Sequence, residues 1–440
     1  MKLSVIGTGY LGATHAVCMA ELGYEVVGVD LAEHRIAQLA AGQLPFFEPG
    51  LPELLTRNLA EGRLTFTTDM AAAADAAVHF LCVGTPEGAD GSADLRYVDA
   101  AVAALAAVAR GTSVLAGKST VPVGTADALA ARLAAHTTSA QIEVVWNPEF
   151  LREGFAVADT LRPDRIVVGT ASAAGEAALR EVYAPLLSDG VPFLVTDRST
   201  AELVKVAANS FLATKISFIN AMAEICEATG SDVVHLAEAL GYDTRIGNRF
   251  LQAGIGFGGG CLPKDIRAFQ AAARGLGLPT SVDFLRSVDE INTRRRDRVT
   301  ELAGDLLGGL GGRAITVLGA AFKPDSDDVR DSPALAISRA LHAAGAVVTV
   351  HDPQALANAQ QAAPELHYAT DIRTAFAGAE LVAHLTEWHE YRTLNPVAIA
   401  DVVAARLMID GRNVLDRGRW AAAGWTVHSL GRPAVHPQSG

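Results

Sequence analysis

At 440 residues the chain exceeds one ordinary core, so two or three domains are expected; half of its residues are hydrophobic, yet no uninterrupted apolar run reaches the about 18 residues of a membrane helix. A formal charge of −13 argues against general binding to nucleic acid or to a membrane surface, and any anionic nucleotide would have to find its cations locally. The four cysteines, Cys18, Cys82, Cys226 and Cys261, are widely spaced without a Cys-x-x-Cys pair, so neither a disulfide framework nor a metal site is expected, and a reducing cytoplasm is the natural compartment.

The N-terminus, Met1 to Gly12, passes almost at once into a glycine loop and lacks the serial regions of a signal peptide. Residues 2–7 read as a strand, 13–22 as a helix and Glu25 to Asp30 as a second strand. Strand and helix signals then alternate through 78–83, 100–109, 113–116, 126–135, 144–146 and 165–168, the pattern of a parallel sheet with crossover helices. From about Ser199 the alternation stops. Residues 201–228 keep helical spacing without internal Gly or Pro, and 231–240 and 281–300 add further helices; long helices of this kind often carry dimer contacts. After the glycine cluster at 308–312 a second βαβ pattern begins with a strand at 314–318, a helix at 334–344 and a strand at 347–350. Its loop, Gly-Ala-Ala-Phe-Lys-Pro, lacks the G-x-G-x-x-G spacing and should not bind a dinucleotide in the same way. The expected architecture is α/β: an N-terminal Rossmann-like domain (1–198), a central helical domain (199–300), a C-terminal Rossmann-like domain (301–430) and a loose tail (431–440).

Gly7-Thr8-Gly9-Tyr10-Leu11-Gly12 fits G-x-G-x-x-G directly between a strand and a helix. The glycines allow a tight turn and close approach to a pyrophosphate, and Asp30 at the end of the next strand can accept from ribose hydroxyls while repelling a 2′-phosphate, which favours NAD. Arg35 is a mild counter-signal, since it could reach either cofactor's phosphates. The loops around Thr85 and at Gly117 to Pro122, which holds Thr120, should lie at the carboxyl ends of the sheet, where ligands bind. In Asn147 to Gly154, Glu149 and Glu153 are four apart; on a helical turn they would share a face, a cost that suggests use. Lys205 and Asn209, also four apart, project together from the long helix as donors for a developing oxyanion. Lysine is rare in this arginine-rich chain (Lys2, Lys118, Lys205, Lys215, Lys264 and Lys323), and several of the six fall inside motifs. The most informative segment is Gly254 to Asp265, G-I-G-F-G-G-G-C-L-P-K-D. Pro263 suits a helix start, so Cys261 sits at a loop-to-helix junction where the dipole and Lys264 favour a thiolate, with Asp265 as a neighbouring acid–base group. Lys323, Arg330 and Arg412 supply local positive charge in the second βαβ half.

Together, G-x-G-Y-x-G, P-x-x-E-P-G-L (Pro45 to Leu51), S-T-V-P-V-G-T, N-P-E-F-L-R-E-G, G-F-G-G-G-C-L-P-K-D and F-K-P-x-x-x-D-x-R-x-S-P resemble the UDP-glucose dehydrogenase family, from Met1 to about Leu430. The resemblance implies oxidation of the C6 alcohol of UDP-glucose to UDP-glucuronate through a Cys261 thiohemiacetal and thioester, with two NAD consumed. It implies Lys205 and Asn209 as oxyanion donors, Glu153 with Thr120 acting on water and proton, and Asp265 supporting base chemistry. It places Gly7, Gly9, Tyr10, Leu11, Asp30, Arg35, Thr85, Thr120, Glu153, Lys264 and Arg330 at the cofactor. Glu149, Phe150, Leu151, Arg152, Phe250, Leu251, Phe257, Gly258, Lys323 and Arg412 would hold the UDP-sugar beside Lys205, Asn209 and Cys261. Arg245 would reach the sugar site of a neighbouring subunit, implying at least a homodimer. Leu262 stands where many relatives carry Phe. The alternatives are a GDP-mannose dehydrogenase, less readily a UDP-N-acetylmannosamine dehydrogenase, and, from another class, a non-catalytic NAD and nucleotide-sugar sensor, which would not need Cys261, Lys205, Asn209 and Glu153 together.

Overall fold

A computed structural model describes residues 1–88, 91–135 and 140–437. Two compact units emerge, Met1–Ala208 with Arg267–Gly277, and Asn209–Ile266 with Leu278–Gly440.

The first unit is built on strands β1 (Lys2–Ile6), β2 (Glu25–Val29), β3 (Leu64–Thr67), β4 (Val78–Leu81), β5 (Thr112–Gly117), β6 (Gln141–Trp146), β7 (Ile166–Gly169) and β8 (Phe193–Thr196), in the order β3-β2-β1-β4-β5-β6-β7-β8. β1, β4 and β5 are buried almost end to end, as strands covered on both faces must be. The order reverses between β1 and β4, so the loops that follow these strands border the crevice where doubly wound sheets bind ligands. The sequence pattern predicts a parallel sheet, but β7 meets β6 antiparallel at Trp146 and Gly169, and β8 runs with β7. The first helix, α1 (Tyr10–Glu21), packs so close to the strand end that a Cβ on Gly12 would lie 1.8 Å from the Gly7 carbonyl oxygen. Gly117 is equally constrained, because a Cβ there would come within 2.1 Å of the buried Trp146 ring.

The helical stretch expected over 201–228 is one helix, α2 (Arg198–Thr229), about 48 Å long at the standard rise. It is followed by α3 (Val233–Gly241), α4 (Leu262–Gly275) and α5 (Phe284–Leu307).

The second sheet holds β9 (Ala314–Leu318), β10 (Val347–His351), β11 (His367–Tyr368), β12 (Leu381–His384), β13 (Leu407–Asp410), β14 (Thr426–Ser429) and β15 (Arg432–Val435), in the order β11-β10-β9-β12-β13-β14-β15. It repeats the switch of the first sheet between β9 and β12, and helix α6 (Pro333–Ala343) makes the crossover from β9 to β10. Where tail composition predicts a loose end, Arg432–Val435 instead closes the sheet antiparallel to β14. Arg432 explains the docking: its Nε lies 2.9 Å from Asp232, and the Gly431 amide donates to Glu227. The last three residues of the expected tail lie outside the described residues.

Candidate functional site

In the first unit the glycine loop has the predicted shape. Gly7 takes a left-handed φ of 87° that a side chain would strain, and Gly9 caps α1 without any side-chain bond. A Cβ on Gly9 would meet nothing within 4 Å. The first turn of α1, which holds Tyr10 and Leu11, therefore offers uncapped N–H groups to an open space, the cradle a pyrophosphate requires. Asp30 accepts from the Thr8 amide at 2.7 Å and hydroxyl at 3.2 Å, from the Ala32 amide at 3.0 Å and from Arg35 at 3.0 Å. Burial alone would raise its carboxyl, but the two amides and the Arg35 guanidinium hold it below its ordinary value, so it stays anionic. Arg35 is thus engaged with this carboxylate. These residues fit a dinucleotide without a 2′-phosphate.

The loops after β4 and β5 are tied together. Thr85 donates to the Thr120 carbonyl at 2.8 Å, and Ser119 donates to that of Val83 at 2.7 Å. Lys118, buried beneath them, reaches Asn147 Oδ1 at 3.0 Å, and burial pushes its ammonium down to about 8. Asn147 opens the next loop, where sequence reasoning placed Glu149 and Glu153 on one helical turn. The chain there is irregular rather than helical. Glu149 takes the Leu151 amide at 2.6 Å and the Lys205 ammonium at 2.9 Å, both side chains being nearly buried. The like-charge cost inferred from the spacing is removed by Lys205, a residue too far along the chain for the spacing to reveal. Phe150 lies 5.8 Å from Lys205 Nζ and 3.8 Å beneath the Arg165 guanidinium. Arg152 is held in a two-bonded pair with Asp159.

In the second unit, Cys261 is exposed, and its carbonyl accepts the first helical bond of α4 from Asp265 at 2.8 Å. The loop-to-helix junction is therefore as predicted. No disulfide is formed among the described residues. Asp265 is buried between two partners: Lys264 at 2.8 Å on one oxygen and the Asn209 amide at 2.7 Å on the other. The structure thus gathers Cys261, Lys264, Asp265 and Asn209.

The glycines before Cys261 are closely packed. Their missing side chains admit the 322–333 loop: a Cβ on Gly258 would lie 2.3 Å from the Asp331 carbonyl, one on Gly259 2.7 Å from Phe322, and one on Gly260 2.6 Å from Arg330. Arg330 is also paired with Asp328. Asn292, which the sequence did not single out, pins Phe257 by bonds in both directions, at 2.7 and 2.9 Å. Arg412 donates to the carbonyls of Leu385, Gly256 and Phe322 and lies 3.1 Å from Glu387, so its donors lock the segment before Cys261 onto the second sheet. Leu251 is buried, and Phe250 before it adopts a left-handed φ of 64°, a costly backbone state for a bulky side chain that tends to mark ligand-facing positions. Lys323 sits 5.3 Å from the Phe322 ring centre. Arg245, by contrast, stands out in solvent on Asp243, away from these groups.

Family models cover nearly all of this chain. The NAD binding domain of the UDP-glucose/GDP-mannose dehydrogenase family matches residues 1–187, the central domain of that family 199–294, and its UDP binding domain 316–417. A UDP-glucose 6-dehydrogenase of Rhizobium meliloti is 43% identical over 98% of this chain and 100% of its own length. The UDP-glucose 6-dehydrogenase TuaD of Bacillus subtilis is 41% identical over 99% of this chain and 94% of its own. Among solved structures, a UDP-glucose dehydrogenase from Pyrobaculum islandicum superimposes with a TM-score of 0.88 at 40% identity, covering 95% of both chains.

The Asp30 geometry makes a prediction. A second anion beside this carboxylate costs about 1–4 kcal/mol between bulk-water and surface dielectric, so catalytic efficiency with NAD should exceed that with NADP by about fivefold to several-hundredfold, and Asp30→Ser should narrow the gap. Equal use of both cofactors by the unaltered enzyme would show that Asp30 does not face the ribose.

Proposed function

The chain belongs to the UDP-glucose/GDP-mannose dehydrogenase family, and from that premise we propose that it oxidises UDP-glucose to UDP-glucuronate through a covalent intermediate on Cys261. The observation that carries the reading is an exposed cysteine at a helix start whose neighbouring carboxylate is clamped by Lys264 and Asn209. Bound NAD supplies hydride acceptance, one cofactor for each of two steps. The alcohol loses a hydride from C6 and its hydroxyl proton, giving an aldehyde. The Cys261 sulfur adds to that carbon and the oxygen is protonated, giving a thiohemiacetal. Loss of the remaining C6 hydride and that proton gives a thioester. Water then adds, the C–S bond breaks, and the carboxylate leaves with the sulfur free to react again. The balance is alcohol, water and two NAD to carboxylate, two NADH and three protons.

In this reading Lys205 and Asn209, one turn apart on α2, donate to the oxygen as it gains charge in each addition. Glu153, with Thr120, takes the proton of the attacking water, and Asp265 supports proton movement at the sulfur. The start of α4 and Lys264 favour an anionic sulfur. Gly7, Gly9, Tyr10, Leu11, Asp30, Thr85 and Arg330 serve the cofactor. Glu149 to Arg152, Phe250, Leu251, Phe257, Gly258, Lys323 and Arg412 serve the UDP-sugar. Residues 1–198, 199–300 and 301–430 are the corresponding cofactor, central and nucleotide-sugar domains. No helix among the described residues is long and apolar enough to cross a membrane, and we place the enzyme in the cytoplasm, where both nucleotides are available.

The enzyme acts as a homodimer in the same proposal. Phe211, Phe218 and Ile225 lie seven residues apart on α2 and are 66%, 49% and 54% exposed, an apolar stripe with the period of a helix–helix seam. Arg245, also exposed, reaches the neighbour's sugar site.

Three experiments bear on these statements. NADH formation against UDP-glucose, GDP-mannose and UDP-N-acetylmannosamine should single out UDP-glucose, with about two NADH per sugar. Cys261→Ser should lower turnover by several orders of magnitude with substrate binding retained, and Lys205→Ala by about 10²–10³. A Cys261→Ser enzyme that still yields two NADH at near the original rate refutes the covalent route. For the dimer, mixing Arg245→Ala chains with Cys261→Ala chains should restore part of the activity, because one hybrid site keeps both residues. Verified mixed dimers without recovery would leave Arg245 outside its neighbour's site.

A further inference from the structure

The Pro45 to Leu51 segment has no part in the chemistry above, yet it holds a buried carboxylate of unusual commitment. Glu48 is 2% exposed. One of its oxygens accepts from the Tyr10 hydroxyl and from the Gly154 amide at 2.7 Å; the other accepts from the Ala156 amide at 2.7 Å. The Tyr10 oxygen itself lies 3.2 Å from the Gly154 amide, closing a small ring of bonds, and its ring packs 4.9 Å from Phe46. All of these donors are neutral, so Glu48 is a site where three polar hydrogens converge on one anion. Such bonds are the strong ones, and a buried donor left without its acceptor is costly.

The partners give the cluster its meaning. Gly154 follows Glu153 directly, and its φ of 78° fixes the peptide between them in a left-handed turn. Tyr10 is the first residue of α1, inside the dinucleotide loop. The same tyrosine hydroxyl is pushed further up in pKa by its burial and by the Glu48 and Glu153 charges, so it remains a donor across the working range. Glu48 therefore joins the cofactor loop to the peptide that carries Glu153, across 38 residues on one side and 106 on the other.

We propose that Glu48 is a positioning residue for thioester hydrolysis: by holding the Gly154 and Ala156 amides and the Tyr10 hydroxyl, it fixes the Glu153 carboxylate where it can take a proton from water. This rests on the role of Glu153 given above. Glu48 touches no substrate; it acts through the peptide of its neighbour.

Glu48→Gln is the informative change, since it keeps shape but turns one acceptor oxygen into an N–H donor facing other donors. The experiment follows the sugar adduct on Cys261 by rapid quench and intact-protein mass, with UDP-glucose and NAD as the probes. Formation of the adduct, read also as the first NADH burst, should stay within about threefold of wild type. Its decay should slow on the order of tenfold to a hundredfold. Glu153→Gln serves as the reference and should slow decay at least as much. If Glu153→Gln decays normally, the water-activating role fails and this proposal with it. If Glu153→Gln is slow but Glu48→Gln decays normally, or if formation and decay fall together, Glu48 has no positioning role. Should Glu48→Gln not fold, Glu48→Asp decides: the shorter side chain keeps the charge but cannot reach all three donors at once, so decay should slow about threefold with the burst retained, and unchanged decay overturns the proposal.

Discussion

The ligand loops of this protein depend on one recurring interaction, a buried carboxylate that accepts backbone N–H groups from loops at the strand ends. Asp30 holds Thr8 and Ala32; Glu48 holds Gly154 and Ala156; Glu202 holds Gly124 and Ala126; Asp352 holds Ala320, Ala321, Gln354 and Ala355; Asp410 holds Arg412 and Leu415. Loops that run near a crevice cannot all satisfy their amides with water, and each buried orphan costs about 1–3 kcal/mol. A carboxylate with two oxygens can satisfy two or more amides from segments far apart in sequence. Part of the strongly acidic composition is therefore turned inward, fixing backbone, rather than repelling polyanions at the surface.

The same device separates the two halves of the molecule. Asp30 and Asp352 occupy equivalent places after the second strand of each sheet order. Asp30 remains partly accessible. Asp352 is 2% exposed and spends its oxygens on four amides and the Trp388 indole at 3.2 Å. A duplicated fold thus leaves this carboxylate partly accessible in one copy and seals it into a turn in the other. Its work is to receive the glycines before Cys261, through Phe322, Arg330 and Asp331, with Arg412 tying the segments together.

How much of this was legible in the sequence follows from how local each signal is. The glycine loop, Asp30 and the start of α4 at Cys261 each lie within one strand–turn–helix, where spacing and turn chemistry suffice. β1, β2, β4 and β9 were readable as apolar runs because both faces are buried. β3, β8, β11, β14 and β15 were not: they are short, lie toward the sheet edges and are only partly buried, so they resemble loops. β12, fully buried, is only four residues long and ends in a histidine paired with Asp410. Partnerships across the chain were hidden altogether. Nothing near Glu149 announces Lys205, nothing near Phe257 announces Asn292, and Glu48, set between Phe47 and Pro49, reads as an ordinary loop acid until the fold brings Gly154 to it.

Amide hydrogen exchange on the intact chain tests this account most directly. The Thr8, Gly154, Ala320 and Ala321 amides belong to no helix or strand, yet they should exchange as slowly as neighbouring strand amides of β1 and β9, because each is closed by a carboxylate. Exchange at these four positions as fast as in exposed turns would show that the carboxylates do not hold the loops, and the organisation described for both halves would lose its basis.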